Sequence, residues 1–400
     1  MKYVIILGDG MADFPNENLG NKTPLECAVK PNIDALAKKS FAGMVKTVPD
    51  GMKPGSDVAN LSVMGYEPDK YYTGRSPLEA ASIGVPLEDT DITFRVNLVT
   101  LSDDEVYEEK TMVDYSSDEI TTEEATILIN DLAKELNTDT LQLYPGFSYR
   151  HILVWKNGKL TFNLTPPHDI SDKKVTEHLP KGENSDVLFG LMKKSVEILK
   201  NHPVNLDRIK RGLRPATSMW IWGEGNKTVL PAFESLYNVK GAVVSAVDLI
   251  KGIGGSAKLE VAEVEGATGN IHTNFDGKAQ ASLELLKNND FLYVHLEAPD
   301  ECGHRGEIEN KVKSIEIIDE KIVKPIYDYL KNSGEDFKIA ILPDHPTPLS
   351  IKTHVSNPVP FIIYDSTNEV NGIDCYTEKN CENTGNYLEK GKEIVTLLFK

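Results

Sequence analysis

Apolar positions along this chain fall into two kinds of run. Four short unbroken runs stand out: Tyr3–Leu7, Phe291–Glu297, Phe337–Leu342 and Pro360–Tyr364. The first three lead into Gly8-Asp9-Gly10, Ala298-Pro299-Asp300 and Pro343-Asp344-His345. Unbroken runs of this length suit parallel strands covered on both faces. Between them, Val312, Ile315, Ile318, Ile322, Ile326 and Leu330 recur at helical steps, with Pro325 predicting a kink. Ala279–Leu286 predicts a further helix. The alternation implies an α/β fold with a doubly wound, mostly parallel sheet to which both ends of the chain contribute.

The middle of the chain follows another pattern. Ile92–Leu101 alternates apolar and polar residues, as a half-buried strand does. Thr121–Leu136 opens on a Thr-Thr-Glu-Glu capping signature and continues as an amphipathic helix. His151–Trp155 and Leu160–Leu164 flank Lys156-Asn157-Gly158-Lys159, which predicts an Asn-Gly hairpin. Asp186–Lys200 is helical. A smaller α+β domain is therefore expected as an insert at 88–212, with the core formed by 1–87 and 213–400.

Charge narrows the function. With 43 basic and 61 acidic residues in 400, the net charge is −18. Phosphate backbones and anionic membrane surfaces are gripped by positive surfaces, so no nucleic-acid or membrane partner is expected. Val4–Leu7 is too short for a signal-peptide core. No apolar stretch approaches the ~20 residues of a membrane helix. Cys27, Cys302, Cys375 and Cys381 show no metal-finger spacing, which points to reduced thiols and a cytoplasmic location.

Candidate chemistry sits in the turns and Gly-rich loops. Asp9 follows the first run. Lys53-Pro54-Gly55-Ser56-Asp57-Val58-Ala59-Asn60 puts a hydroxyl at the predicted head of a helix. Asp300 and His304 are four residues apart, so a helical turn places both on one face, a pairing that suits Mn²⁺ or Zn²⁺. Asp344-His345 follows the third run, and His354 comes nine residues after His345. Ligands of open α/β sheets bind beyond the carboxyl ends of the strands. Three aspartates and three histidines gathered there can hold two divalent cations, and such a pair suits phosphoryl transfer with Ser56 as nucleophile.

These motifs resemble those of the cofactor-independent phosphoglycerate mutases, and most closely their archaeal-type branch, within the alkaline phosphatase superfamily. Thr73-Gly74-Arg75-Ser76-Pro77-Leu78-Glu79-Ala80, Trp222-Gly223-Glu224-Gly225, Leu249-Ile250-Lys251-Gly252 and Gly266-Ala267-Thr268-Gly269 extend the resemblance in order over nearly the whole chain. The resemblance implies an alkaline phosphatase-like core holding two metal ions, Mn²⁺ before Zn²⁺ or Mg²⁺. One would be held by Asp300, His304 and His354. The other would be held by Asp9, Ser56, Asp344 and His345. Ser56 would become phosphoserine while 3-phosphoglycerate and 2-phosphoglycerate interconvert without 2,3-bisphosphoglycerate. The implied partner is a small phosphorylated hydroxy acid.

Such a reaction keeps glycerate trapped and water out, so a covering domain and cations for the carboxylate are expected. Arg95, Arg150 and His151 are the candidates, with His168 and Asp169 near the hydroxyls and Lys251 for the phosphate. Archaeal-type mutases commonly carry Asp-Arg-Arg-Ala-Gly-Arg in the insert. The corresponding segment here, Val113-Asp114-Tyr115-Ser116-Ser117-Asp118-Glu119, has no arginine. Substrate identity is therefore the open part, and a homoserine kinase-like phosphotransferase on the same core is the alternative.

Overall fold

The opening apolar run forms β1 (Lys2–Gly8), followed by β2 (Ser40–Val45). Next come β3 (Ile92–Leu101), β4 (Met112–Asp114), β5 (Leu141–Tyr144), β6 (Arg150–Trp155), β7 (Phe162–Asn163), β8 (Lys181–Gly182) and β9 (Ser218–Asn226). The chain closes with β10 (Gly241–Val244), β11 (Glu260–Ala262), β12 (Phe291–Leu296), β13 (Phe337–Leu342), β14 (Val359–Asp365) and β15 (Tyr387–Leu388). The computed structural model describes all 400 residues, in two compact units. Met1–Tyr72 with Val229–Lys400 form the larger unit, and Thr73–Thr228 the smaller. No helix is long and apolar enough to cross a membrane.

The larger unit is built on one eight-stranded sheet, in the order β11-β10-β12-β1-β13-β14-β2-β15. β12, β1 and β13 are parallel neighbours, with Leu7 opposite both His295 and Leu342. Their side chains are almost entirely buried, as both-face coverage requires. The aligned carboxyl ends bring Asp9, Asp300 and Asp344 out at one rim. β14 departs from expectation: it pairs antiparallel to both β13 and β2. No helix lies between Leu342 and Val359 to carry the chain back for a parallel crossover.

The periodic stretch before β13 is one run of helix with a defect. Ile308–Ile318 and Lys324–Ser333 are α-helical, and Asp319–Val323 between them is a π turn. Pro325 has no N–H to donate and crowds the carbonyl of the preceding turn, and the wider π turn accommodates both effects.

In the smaller unit β3 is the central strand. β6 pairs along one edge, β9 along the other, and β4 at its end. All ten residues of β3 are buried, so the alternation does not mark a solvent face as expected. Thr93, Arg95 and Asn97 are buried polar residues with partners. The apolar core gathers β3 and β9 with the helices Thr122–Leu136 and Ser185–Leu199. Thr121 caps the first of these by accepting from the Glu124 N–H.

The expected Asn-Gly hairpin does not form. β6 already has β3 and β5 on its two edges, so the chain after Asn157-Gly158 pairs elsewhere, β7 with β8. The unit also extends past the expected limits of 88 and 212. The helix Ser76–Ser82 packs on β3, where the Ser76 hydroxyl reaches the Thr93 carbonyl at 3.0 Å, and β9 is a full member of the sheet.

Candidate active site

The rim of the larger sheet gathers all seven residues proposed from sequence for metal and nucleophile. Asp9 follows β1, and Ser56 is the first residue of the helix Ser56–Val63. Asp300 and His304 share one face of the helix Ala298–Arg305, with His304 Nε2 3.2 Å from Asp300 Oδ2. Asp344 and His345 follow β13, and His354 lies in the next loop. Two sets of potential ligand atoms each lie within 4.8 Å: Asp300, His304 and His354, and Asp9, Asp300 and His345. Asp300 belongs to both. Ser56 Oγ stands 3.2 Å from His345 Nε2. Asp344 faces the same imidazole at 3.4 Å, but its oxygens also accept from the Gly10 and His345 N–H groups and from Asn60.

The donor set fits divalent cations. Asp9 Oδ1 is buried and has no hydrogen-bond partner. Burial, and then the charges of Asp344, Asp300 and Glu297, push the Asp9 carboxyl well above its ordinary range. That crowding calls for positive charge. The imidazoles are oriented for it. His304 Nδ1 lies 3.0 Å from the Lys352 carbonyl, so Nδ1 holds the proton and Nε2 is left to coordinate. His345 Nδ1 faces Thr347 Oγ1 at 3.3 Å, and that hydroxyl donates to Asp300, so His345 Nε2 is free in the same way. The Nε2 atoms of His304 and His354 approach to 2.9 Å, which places both on one point.

His295 lies outside every motif, and Asn60 belongs to the 53–60 cluster without a role being legible from it. His295 lies inside β12, wholly buried, with Nε2 2.9 Å from Asp9 Oδ2 and Nδ1 3.2 Å from the Ser245 hydroxyl. Burial pushes it down to about 3, so it is neutral and donates to Asp9. Asn60 donates to Asp344 Oδ2 at 2.7 Å and to the Ser56 carbonyl at 2.9 Å, and accepts from the Tyr293 hydroxyl at 2.6 Å. The available signal was a lone histidine, and a tyrosine, in a strand otherwise apolar.

The residues proposed to bind substrate lie in the smaller unit, except Lys251. Arg75 and Arg95 each donate to one oxygen of Glu79, at 2.7 and 2.8 Å. Arg95 also stacks on Trp222, 4.2 Å from the ring centroid. Burial works against ionised Glu79, yet Arg95, Arg75 and Arg150 together hold its carboxyl at about 2. Arg75 and Arg95 thus share one carboxylate, and the charge of Arg150 acts on it as well. His151 is buried and accepts from the Gly146 N–H on Nδ1, leaving a buried Nε2 without a partner. His168 packs edge-on to Tyr115 and Trp222, and Asp169 is exposed beside it. Lys251 is paired with Glu263 at 2.6 Å. In the arginine-free segment, Asp114 and Asp118 bind Arg214, so it serves the fold of its own unit.

Residues 37–205 match the family model of 2,3-bisphosphoglycerate-independent phosphoglycerate mutase. The protein of that name from Methanosarcina mazei is 48% identical over 403 residues, covering both chains completely. A solved structure of a Pyrococcus horikoshii protein aligns with a TM-score of 0.80 at 30% identity, covering 99% of this chain and 96% of its own. A cofactor-independent phosphoglycerate mutase from Thermoplasma acidophilum shares the fold, with a TM-score of 0.65 at 23% identity over 100% and 99% of the two chains.

Proposed function

Because this chain belongs to the 2,3-bisphosphoglycerate-independent phosphoglycerate mutases, isomerases of a small phosphorylated substrate, we propose that its own reaction passes through Ser56. The observation that carries this is Ser56 Oγ beside the group Asp9, Asp300 and His345, one of whose carboxylate oxygens is buried and unpaired. Ser56 Oγ attacks phosphorus, the bond to the C3 oxygen of 3-phosphoglycerate breaks, and phosphoserine forms. The glycerate reorients, its C2 hydroxyl attacks the phosphoserine, and Ser56 is released as 2-phosphoglycerate forms.

Asp300, His304 and His354 would hold one divalent ion, and Asp9, Ser56, Asp344 and His345 the other, with Mn²⁺ the proposed metal. Bound ions would supply positive charge to the phosphoryl oxygens and lower the proton affinity of the serine hydroxyl. His295 keeps Asp9 in one orientation, and Asn60 ties Asp344 to the nucleophile's helix. Lys251 is proposed for the phosphoryl group, exchanging its surface partner Glu263 for substrate. Arg95 and Arg150 are proposed for the glycerate carboxylate, in place of the missing arginine-rich segment. His151, His168 and Asp169 are proposed for the hydroxyl groups. A cytoplasmic location is proposed from the reduced cysteines.

The test is purified protein with Mn²⁺, 3-phosphoglycerate and no 2,3-bisphosphoglycerate. Formation of 2-phosphoglycerate, with phosphate on Ser56 after acid quench, is the expected result. No conversion, or phosphorylation of homoserine by ATP instead, would sink it.

A further inference from the structure

Thr347 stands between the two groups of metal-ligand atoms and belongs to neither. Its hydroxyl donates to Asp300 Oδ1, on the carboxylate common to both groups. The same oxygen lies 3.3 Å from Nδ1 of His345, which belongs to only one of them. A hydroxyl has one proton to give and lone pairs with which to receive. With that proton directed at Asp300, the bond to His345 runs from Nδ1–H to the threonine oxygen. The chain from His345 through Thr347 to Asp300 therefore has a single polarity. It leaves Nε2 as the free nitrogen of His345, the atom 3.2 Å from Ser56 Oγ.

Groups outside the ligand set hold Thr347 in place. Asp344, His345 and His354 lie between β13 and β14, where the chain forms no helix or strand. Without a ladder, such a segment takes its position from individual bonds. The Thr347 N–H donates to the Ala12 carbonyl at 3.3 Å, and its carbonyl accepts from Lys311 Nζ at 2.7 Å. Lys311, on the helix Ile308–Ile318, is fully buried and pairs with Asp13 at 2.7 Å. Asp13 in turn accepts from the Leu349 N–H at 3.1 Å. One buried ion pair thus grips the backbone at Thr347 and again two residues later. Two apolar side chains could fill that space at less cost in desolvation, but would leave the Thr347 carbonyl and the Leu349 N–H without these bonds. Packing closes the remaining sides: a Cβ on Gly303 would fall 2.5 Å from the Thr347 carbonyl oxygen, and one on Gly10 2.6 Å from Oγ1.

We propose that Thr347 is a positioning residue that couples the two metal-ligand groups, its hydroxyl orienting Asp300 for both and His345 for one, with the Lys311–Asp13 pair as its anchor. It acts through those two ligands and not on substrate. The assignment rests on the metal centre proposed above.

The test uses full-length protein carrying Thr347→Val, Thr347→Ser, or Asp13→Asn together with Lys311→Met, which removes both charges so that neither is left buried alone. Thr347→Val lowers Mn²⁺ affinity in calorimetry about 10- to 100-fold, the scale of losing an outer partner, and does so at both sites because Asp300 serves both. At saturating Mn²⁺ its kcat falls by a similar factor with KM little changed. Thr347→Ser keeps the hydroxyl and stays within about threefold of wild type in affinity and turnover. The paired charge variant weakens Mn²⁺ binding about 10-fold, and adds less than that when combined with Thr347→Val, because both act through one residue. Mn²⁺ affinity of Thr347→Val within about twofold of wild type would overturn the proposal, whatever its melting temperature. So would a loss at one site alone, or Thr347→Ser as weak as Thr347→Val, which would assign the role to the packing of the methyl group. Wild-type protein that binds Mn²⁺ at two sites without forming phosphoserine would refute the Ser56 reading instead, and the affinities would still decide on Thr347.

Discussion

His295 Nε2 lies 2.9 Å from Asp9 Oδ2, while Asp9 Oδ1 is buried with no partner. One oxygen of the carboxylate is thus fixed by a neutral histidine, itself held by Ser245, and the other points into the cluster with Asp300 and His345. This is the arrangement of a metal-binding carboxylate with a supporting donor behind it. His295→Ala should therefore weaken Mn²⁺ binding by about 10- to 100-fold, as loss of outer partners does. Titration calorimetry on metal-stripped protein checks this; unchanged affinity would separate His295 from the site.

Ser56→Ala removes the only hydroxyl proposed to carry the phosphoryl group. Mutase turnover should fall by about four orders of magnitude or more, the scale on which loss of a covalent nucleophile acts. No phosphoserine should accumulate, and Mn²⁺ should still bind through the histidines. Residual turnover near wild type would identify another acceptor.

Metal removal should destabilise the larger unit, and increasingly so as pH rises. The folded-state Asp9 carboxyl is raised above its ordinary value by burial and by Asp344, Asp300 and Glu297. Without metal, the folded protein therefore holds a proton that the unfolded chain has lost, and stability declines as pH rises above the ordinary aspartate range. Mn²⁺ reverses this, by about 2.7 kcal/mol per site at a free concentration 100 times its dissociation constant. Thermal melts with chelator and with Mn²⁺ across pH should show the gap widening upward. A gap independent of pH would contradict the assignment of Asp9.

In the smaller unit, Glu79 should set a second pH limit with the opposite sign. Its carboxyl is held at about 2 against an ordinary 4.5, although burial alone would raise it. The lowered value means the contribution is fully present above 4.5 and is lost as pH falls through about 2, some ~3 kcal/mol in all. Glu79→Gln leaves Arg95 buried without its counter-charge and should cost about 3–5 kcal/mol in denaturant unfolding. A change below about 1 kcal/mol would show that Trp222 stacking alone suffices to hold Arg95.

The parallel strands Tyr3–Leu7, Phe291–Glu297 and Phe337–Leu342 were legible in the sequence because both faces of each are buried, leaving an unbroken apolar run with chemistry in the turn behind it. The seven metal and nucleophile candidates were legible for the same reason: each sits in a short motif whose residue types are local. What tertiary structure alone decided is pairing. β3 reads as half-buried by alternation, yet the helix Ser76–Ser82 packs on it and meets Thr93 through Ser76 and Arg95 through Glu79, so its polar residues became buried ones with partners. The Asn-Gly signal marks a turn but cannot report that both edges of β6 are taken. His295 carries no motif, and nothing local to the 53–60 cluster gives Asn60 a role; both roles come from side chains more than 200 residues away. Local sequence determines which segments are strands, helices and reactive turns. Which buried charge meets which partner depends on contacts between distant segments, and only the folded chain provides those.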